Sequence, residues 1–308
     1  MRSGFKMAIF TPILIAVVFA LIIAADFMPS GALGIDENPY LAVVIIQLLT
    51  YAIPSLFYCR IRGKEFTPRL RLRLFKPARL LYLFYATVFM VAGVALLSVL
   101  CYTVSPAAFS SAGAVSNAAF AMNGGFTSGA YIIVAFAILP AITEEFLFRG
   151  IVVGEYEQNG AIIASVMSAI MFAMAHFSLV RLPIYLFSGL VLAAVTYATR
   201  SVVASMIVHA INNAVVLMTE RYVLHIVDKQ NVSLVLFLVI LGLVIMLFGM
   251  LMCFEAHSIY RVYAETNAPS DYAMRKKQSG ISRVAQSFFS PTFLIIVIIY
   301  IVVVLLKS

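Results

Sequence analysis

The chain has no tryptophan, and only 11% of its 308 residues are charged. A soluble domain carries about a quarter charged residues, so a chain this poor in charge and 63% hydrophobic cannot give itself a water-facing surface. The three cysteines, Cys59, Cys101 and Cys253, form no spaced motif. That excludes a disulfide framework or a thiolate metal site and leaves each as a small apolar residue. No His-Glu-x-x-His segment is present, which removes the zinc-binding helix of soluble metalloproteases. Ten-residue segments of alternating polarity, the mark of a membrane β-barrel, are missing, as is any repeat of fixed period.

Long apolar runs are what the chain has instead, with a mean hydropathy of +1.05. A spanning helix needs about 20 largely apolar residues, and about 17 suffice for a short one. Nine runs qualify: 7–25, 40–59, 80–103, 129–153, 160–180, 182–199, 201–218, 231–254 and 291–306. Backbone groups in lipid must be satisfied within the chain, which favours helices. The expected fold is therefore all-α, a polytopic membrane helix bundle of about nine transmembrane helices. It divides into N-terminal spans with a basic loop (1–128), a central core (129–218) and C-terminal spans (219–308). The first run follows Arg2 and Lys6 as a signal peptide would. It is too long for one and lacks a good cleavage site at Asp26-Phe27-Met28-Pro29, so it reads as a retained span.

Placing the N-terminus in the cytoplasm puts 17 of the 21 basic residues on the inner side, leaving Arg181, Arg221, Lys229 and Lys307 outside. This follows the positive-inside bias and accounts for the net charge of +8 without a nucleic-acid partner. Eight of the inner residues lie between Arg60 and Arg79, where Arg69-Leu70-Arg71-Leu72-Arg73-Leu74 alternates charge with leucine. That segment reads as an anchor on anionic lipid, at about 1 kcal/mol per basic residue, rather than as a dock for an acidic substrate. The uncharged stretch 104–128 reads as an outer loop, and 255–290 as a second inner loop. Gly150 and Gly154 make a small-xxx-small pattern that suits local packing better than a dimer seam.

Against this background the sequence Ile142-Thr143-Glu144-Glu145-Phe146-Leu147-Phe148-Arg149 stands out. A carboxylate at bilayer depth costs at least ~2.5–3.5 kcal/mol, so an ionisable cluster there points to function. Glu145 and Arg149 share a helix face at i, i+4. Glu144 lies about 100° further round, which leaves it to face a cavity as a general base. The competing reading, an ion cluster that only holds helices together, does not explain a second acid. His176 in the fifth run, and His209 with Asn213 one turn on in the seventh, add polar groups in nearby helices. At 1.5 Å per residue, His209 lies about 13 Å from Arg200 and Glu144 about 13 Å from Val153. His176 comes out about 22 Å from Ala161, which does not match. His225 and His257 fall near loops and read as surface residues.

On these residues the sequence resembles the CAAX prenyl protease and bacteriocin-processing (CPBP, or Abi) family of intramembrane endopeptidases. That family's signature is EExxxR, FxxxH and HxxxN or HxxxD on successive membrane helices. Here it appears in order as Glu144-Glu145 with Arg149, Phe172 with His176, and His209 with Asn213. The resemblance implies that Glu144 activates a water, supported by Glu145 and Arg149. It implies that His176 and His209 position that water or a metal, and that Asn213 donates to the developing oxyanion. Zinc held by Glu144, His176 and His209 would complete an open three-ligand site, though Glu144 would then be a ligand and not free to act as the base; a water activated by glutamate and histidine is the preferred reading.

The implied substrate is a membrane-associated peptide or lipidated protein, cut within the bilayer, in a multi-pass protein expected in a bacterial plasma membrane. The competing class is a non-catalytic immunity or regulatory protein that binds a peptide or membrane partner. A proton- or ion-coupled transporter is a third class, but the internal symmetry common among transporters is missing.

Overall fold

The computed structural model describes residues 2–28, 39–112, 126–229, 232–266 and 280–307. All nine apolar runs are helical. The first eight form α1 (Arg2–Asp26), α2 (Leu41–Arg62), α3 (Leu80–Val104), α4 (Gly129–Asn159), α5 (Ala161–Met174), α6 (Leu182–Thr199), α7 (Val202–Lys229) and α8 (Val232–Glu265). Two further helices, α9 (Gly280–Phe288) and α10 (Pro291–Lys307), make a pair bent by 45°. A short helix, Pro106–Ala112, follows α3, and no strand occurs among the described residues.

Six helices, α2 to α4 and α6 to α8, are long and apolar enough to cross a membrane, and the bent pair makes a seventh. Among the described residues, two of the nine expected spans fall below that length. The first offers the 17-residue stretch Phe10–Asp26, and α5 has only 14 residues. At 1.5 Å per residue α5 is about 21 Å long, less than the ~30 Å of a hydrocarbon core. Its ends have local causes. Gly160, at φ 112°, opens it, and the left-handed Phe177, at φ 45°, turns the chain away after it. The inner loop expected over 255–290 is also shorter, since α8 runs on to Glu265 and α9 begins at Gly280. Residues 267–279, with Arg275, Lys276 and Lys277, lie outside the described residues, as do 113–125 of the uncharged stretch.

Two apolar cores organise the bundle. One joins α1, α2, α4, α5 and α10 around Phe148, Phe172 and Phe177. The other joins α3, α6 and α7 around Tyr82, Met90 and Leu192, with Ile259 of α8 added. Otherwise α8 packs chiefly on α3 and leaves a long apolar face exposed, as expected of a helix whose solvent is lipid.

Prolines shape the spans that reach the site. Pro54 and Pro140 each lack an N–H and crowd the carbonyl four residues back, which belongs to Thr50 and Phe136. Both of those residues sit inside π-helical turns, Leu48–Ala52 and Val134–Ile138, so the wider turns absorb the prolines without breaking the rods. A third π turn, Phe146–Val152, follows Glu145 directly. Ser168 on α5 donates to the Phe148 carbonyl in that turn at 2.9 Å.

At one end of the bundle the basic segment after α2 folds inward. Arg62 and Tyr58 hold the buried Glu155, and Arg71 pairs with Glu157. Arg73 donates to the Arg200 carbonyl at 2.8 Å, and Arg79 lies over the Tyr263 ring. The alternation is thus not the one expected of a lipid anchor: Leu70 and Arg71 are buried while Leu72, Arg73 and Leu74 are exposed. Gly154 admits this segment, since a Cβ there would lie 3.2 Å from the Arg69 carbonyl oxygen. The small-residue pair on α4 therefore packs a loop, not a second helix.

Candidate active site

The central segment of α4, Leu139–Glu145, is straight α-helix between two π turns. It presents Glu144 and Glu145 on different sides. Glu145 and Arg149 are both fully buried, and Arg149 Nη1 donates to Glu145 Oε1 at 2.6 Å. Arg149 Nη2 donates to the Gly189 carbonyl of α6 at 3.1 Å, and its guanidinium lies 4.5 Å from the Phe172 ring centroid. The expected i, i+4 pair is present, and it ties α4 to α5 and α6.

Glu145 also meets α7. His209 Nδ1 stands 2.9 Å from Glu145 Oε1. A carboxylate oxygen accepts, so Nδ1 carries the hydrogen, and in the neutral imidazole Nε2 keeps its lone pair. His176 reaches the same tautomer by another route. Its Nδ1 stands 2.8 Å from the Phe172 carbonyl oxygen, which can only accept. Its ring stacks on Tyr185 at 3.7 Å between centroids. Both imidazoles are thereby oriented with Nε2 available.

Glu144 is buried and takes a hydrogen bond from Gln47 Nε2 of α2 at 3.1 Å. It lines a cavity of about 370 Å³ together with Phe172, His176, Tyr185, His209, Asn212 and Asn213. The cavity lies between the two apolar cores, with Met90 and Val94 of α3 forming an apolar wall. At its far end Arg181 and Glu220 form an ion pair at 2.9 Å, and Arg181 also donates to the Phe109 carbonyl. Glu145 and Arg149 do not line the cavity but stand behind His209.

All six residues expected from the sequence therefore gather at one place, four on the cavity wall and two in support. The depth mismatch of His176 has a simple origin. Helix α4 continues past Val153 to the turn Glu157–Asn159, so Glu144 lies 13 residues, about 20 Å, from the turn that also begins α5. His176 is about 22 Å from the same turn. Gln47, Tyr185 and Glu220 escaped the sequence reading. Gln47 and Glu220 had left a signal, each being polar in or at the edge of an apolar run, but a weak one.

For the alternative zinc site of Glu144, His176 and His209, the residues present fit poorly. Among the described residues no three His, Cys, Asp or Glu side chains stand close enough to hold a metal. Glu144, His176 and His209 share a cavity, and Oε1 of Glu144 is already committed to Gln47.

Residues 126–215 match the family described as type II CAAX prenyl endopeptidase Rce1-like. That match supports the resemblance to the CPBP family of CAAX proteases over this segment. The match runs from α4 into α7, a segment that includes both glutamates, both histidines and the asparagine. No curated protein and no solved structure matches the chain. The matched segment thus supplies most of the cavity wall, while α3, which completes it, lies outside the match.

Proposed function

We propose that this multi-pass membrane protein is an intramembrane endopeptidase that hydrolyses a peptide bond of a membrane-associated or lipid-anchored peptide. The supporting observation is the cavity onto which Glu144, His176, His209 and Asn213 converge from two helices, α4 and α7, and the turn after α5. In the reaction, Glu144 takes a proton from a water as the water oxygen bonds to the scissile carbonyl carbon. The water's second O–H is donated to the Nε2 of one of the two imidazoles, His176 or His209, each fixed by its Nδ1 hydrogen bond, which holds the water in line. Asn213, which takes no hydrogen bond within the described residues, donates its amide N–H to the oxyanion. Losing one such donor typically costs ~2.7–4 kcal/mol. The carbon–nitrogen bond then breaks, and the proton held by Glu144 passes to the leaving amine.

A low-dielectric wall strengthens each of these interactions, and Glu145 with Arg149 keeps His209 in the working tautomer. The intact polar set and the CAAX-protease match favour hydrolysis over a purely peptide-binding protein. We place the enzyme in a bacterial plasma membrane, acting on a lipidated or membrane-inserted peptide. The test compares peptides from cells carrying the wild-type protein with those from cells carrying Glu144→Gln, an isosteric change that cannot take a proton. A species cut only with the wild type is expected. Identical peptide profiles at equal protein abundance would refute the proposal.

A further inference from the structure

We infer that Gln47, on a helix outside the CAAX-protease segment, is a positioning residue that fixes which oxygen of Glu144 acts as the base. This rests on the hydrolytic reading above. Gln47 Nε2 lies 3.0 Å from Thr143 Oγ1 and 3.1 Å from Glu144 Oε1. The direction of every bond in this chain is settled by its fixed end. Thr143 Oγ1 stands 3.0 Å from the Leu139 carbonyl and 3.3 Å from the Pro140 carbonyl. Carbonyls only accept, so the single hydroxyl hydrogen is committed to them. Thr143 Oγ1 must then accept from Gln47, and this sets the orientation of the amide, which distance alone would leave ambiguous. With its NH2 group toward α4, Gln47 spends one N–H on Thr143 and the other on Glu144.

The consequence reaches the chemistry. Glu144 Oε1 is held as an acceptor, and Oε2, with no partner among the described residues, is the oxygen left for water in the cavity that Glu144 lines. An unheld glutamate would sample several rotamers on its three torsions, while proton transfer needs one of them. The backbone supports the same arrangement. Gln47 is the last residue before the π turn Leu48–Ala52, and Thr50 inside that turn donates to the Ile46 carbonyl at 2.8 Å. Such turns are frequent where a helix must aim one side chain at a functional site.

Gln47→Met keeps the length and volume of the side chain and removes both donors. Thr143→Val removes the anchor of the amide, and Thr143→Ser keeps it. In pulse–chase measurements of the species cut only by the wild type, normalised to protein abundance, Gln47→Met should slow processing about ten- to a hundredfold, the usual worth of a hydrogen bond to a charged group. Thr143→Val should slow it less, and Thr143→Ser should restore the wild-type rate. A purely structural Gln47 would tolerate Met and would alter abundance instead. Wild-type processing by Gln47→Met, with Glu144→Gln inactive, overturns this inference and leaves the hydrolase standing. Wild-type processing by Glu144→Gln overturns both.

Discussion

Arg149 is the residue on which the internal electrostatics of the bundle turn. Its guanidinium is wholly buried and meets a carboxylate, a backbone carbonyl and an aromatic face at once. Removing one member of such a pair leaves an uncompensated charge in low dielectric, at about 3–5 kcal/mol. Arg149→Met should therefore sharply lower the melting temperature in detergent. Combining it with Glu145→Gln should recover part of the loss, because the stranded carboxylate is gone. Arg149→Lys should fall well short of wild type, since an ammonium cannot address Glu145, Gly189 and Phe172 with one planar group. Equal melting temperatures for Arg149→Met and the double variant would show that the pair has no such coupling. At this scale the sequence was most legible where charge met apolar surroundings. Glu144, Glu145 and Arg149 announced themselves because lipid makes ions expensive. Gln47 did not, since a single amide in an apolar run has many harmless explanations, and only its contact with Glu144 selects one.

Helix ends and helix crossings were harder to read, for a physical reason. Where every residue for 20 positions is apolar, composition carries no mark of where a helix stops. Helix α5 stops at Met174 because the His176 ring closes on the Phe172 carbonyl and Phe177 takes a left-handed backbone, neither of which hydropathy shows. The crossing of α5 and α6 is likewise set by one missing side chain. A Cβ at Gly189 would lie 2.8 Å from the Ala169 Cα, and the Gly189 carbonyl also receives Arg149. Alanine is the better helix former by ~1 kcal/mol, but here the backbone would have to move, and overpacking typically costs ~1–3 kcal/mol. Gly189→Ala should thus lower the melting temperature by several degrees and reduce processing, as Arg149 loses its carbonyl. Gly242→Ala, with nothing within 4 Å of the new Cβ, should be neutral or slightly stabilising. A thermal scan of the two variants side by side decides it, and a neutral Gly189→Ala would mean that the two helices can slide apart at no cost.

For the whole molecule, the open quantity is which end faces the cytoplasm. The ends are chemically distinct. One gathers the segment Arg60–Arg79, the α4–α5 turn and the α6–α7 turn; the other gathers the Arg181–Glu220, Tyr102–Asp228 and Lys307–Asp26 pairs. Several arginines of the basic end are committed to internal partners, which weakens the case for a lipid anchor. It does not weaken the topology argument, because the bias acts on the chain as it inserts and acidic residues contribute little to it. The basic end should therefore be cytoplasmic. Leu74 at that end and Phe27 beside Asp26 at the other are each 82% exposed, so a cysteine at either site should be open to reagent. With Cys59, Cys101 and Cys253 replaced, a membrane-impermeant maleimide should label Phe27→Cys in intact cells and Leu74→Cys only after permeabilisation. The opposite pattern would invert the protein in its membrane and place the Arg181–Glu220 end of the cavity, not the basic end, on the cytoplasmic side.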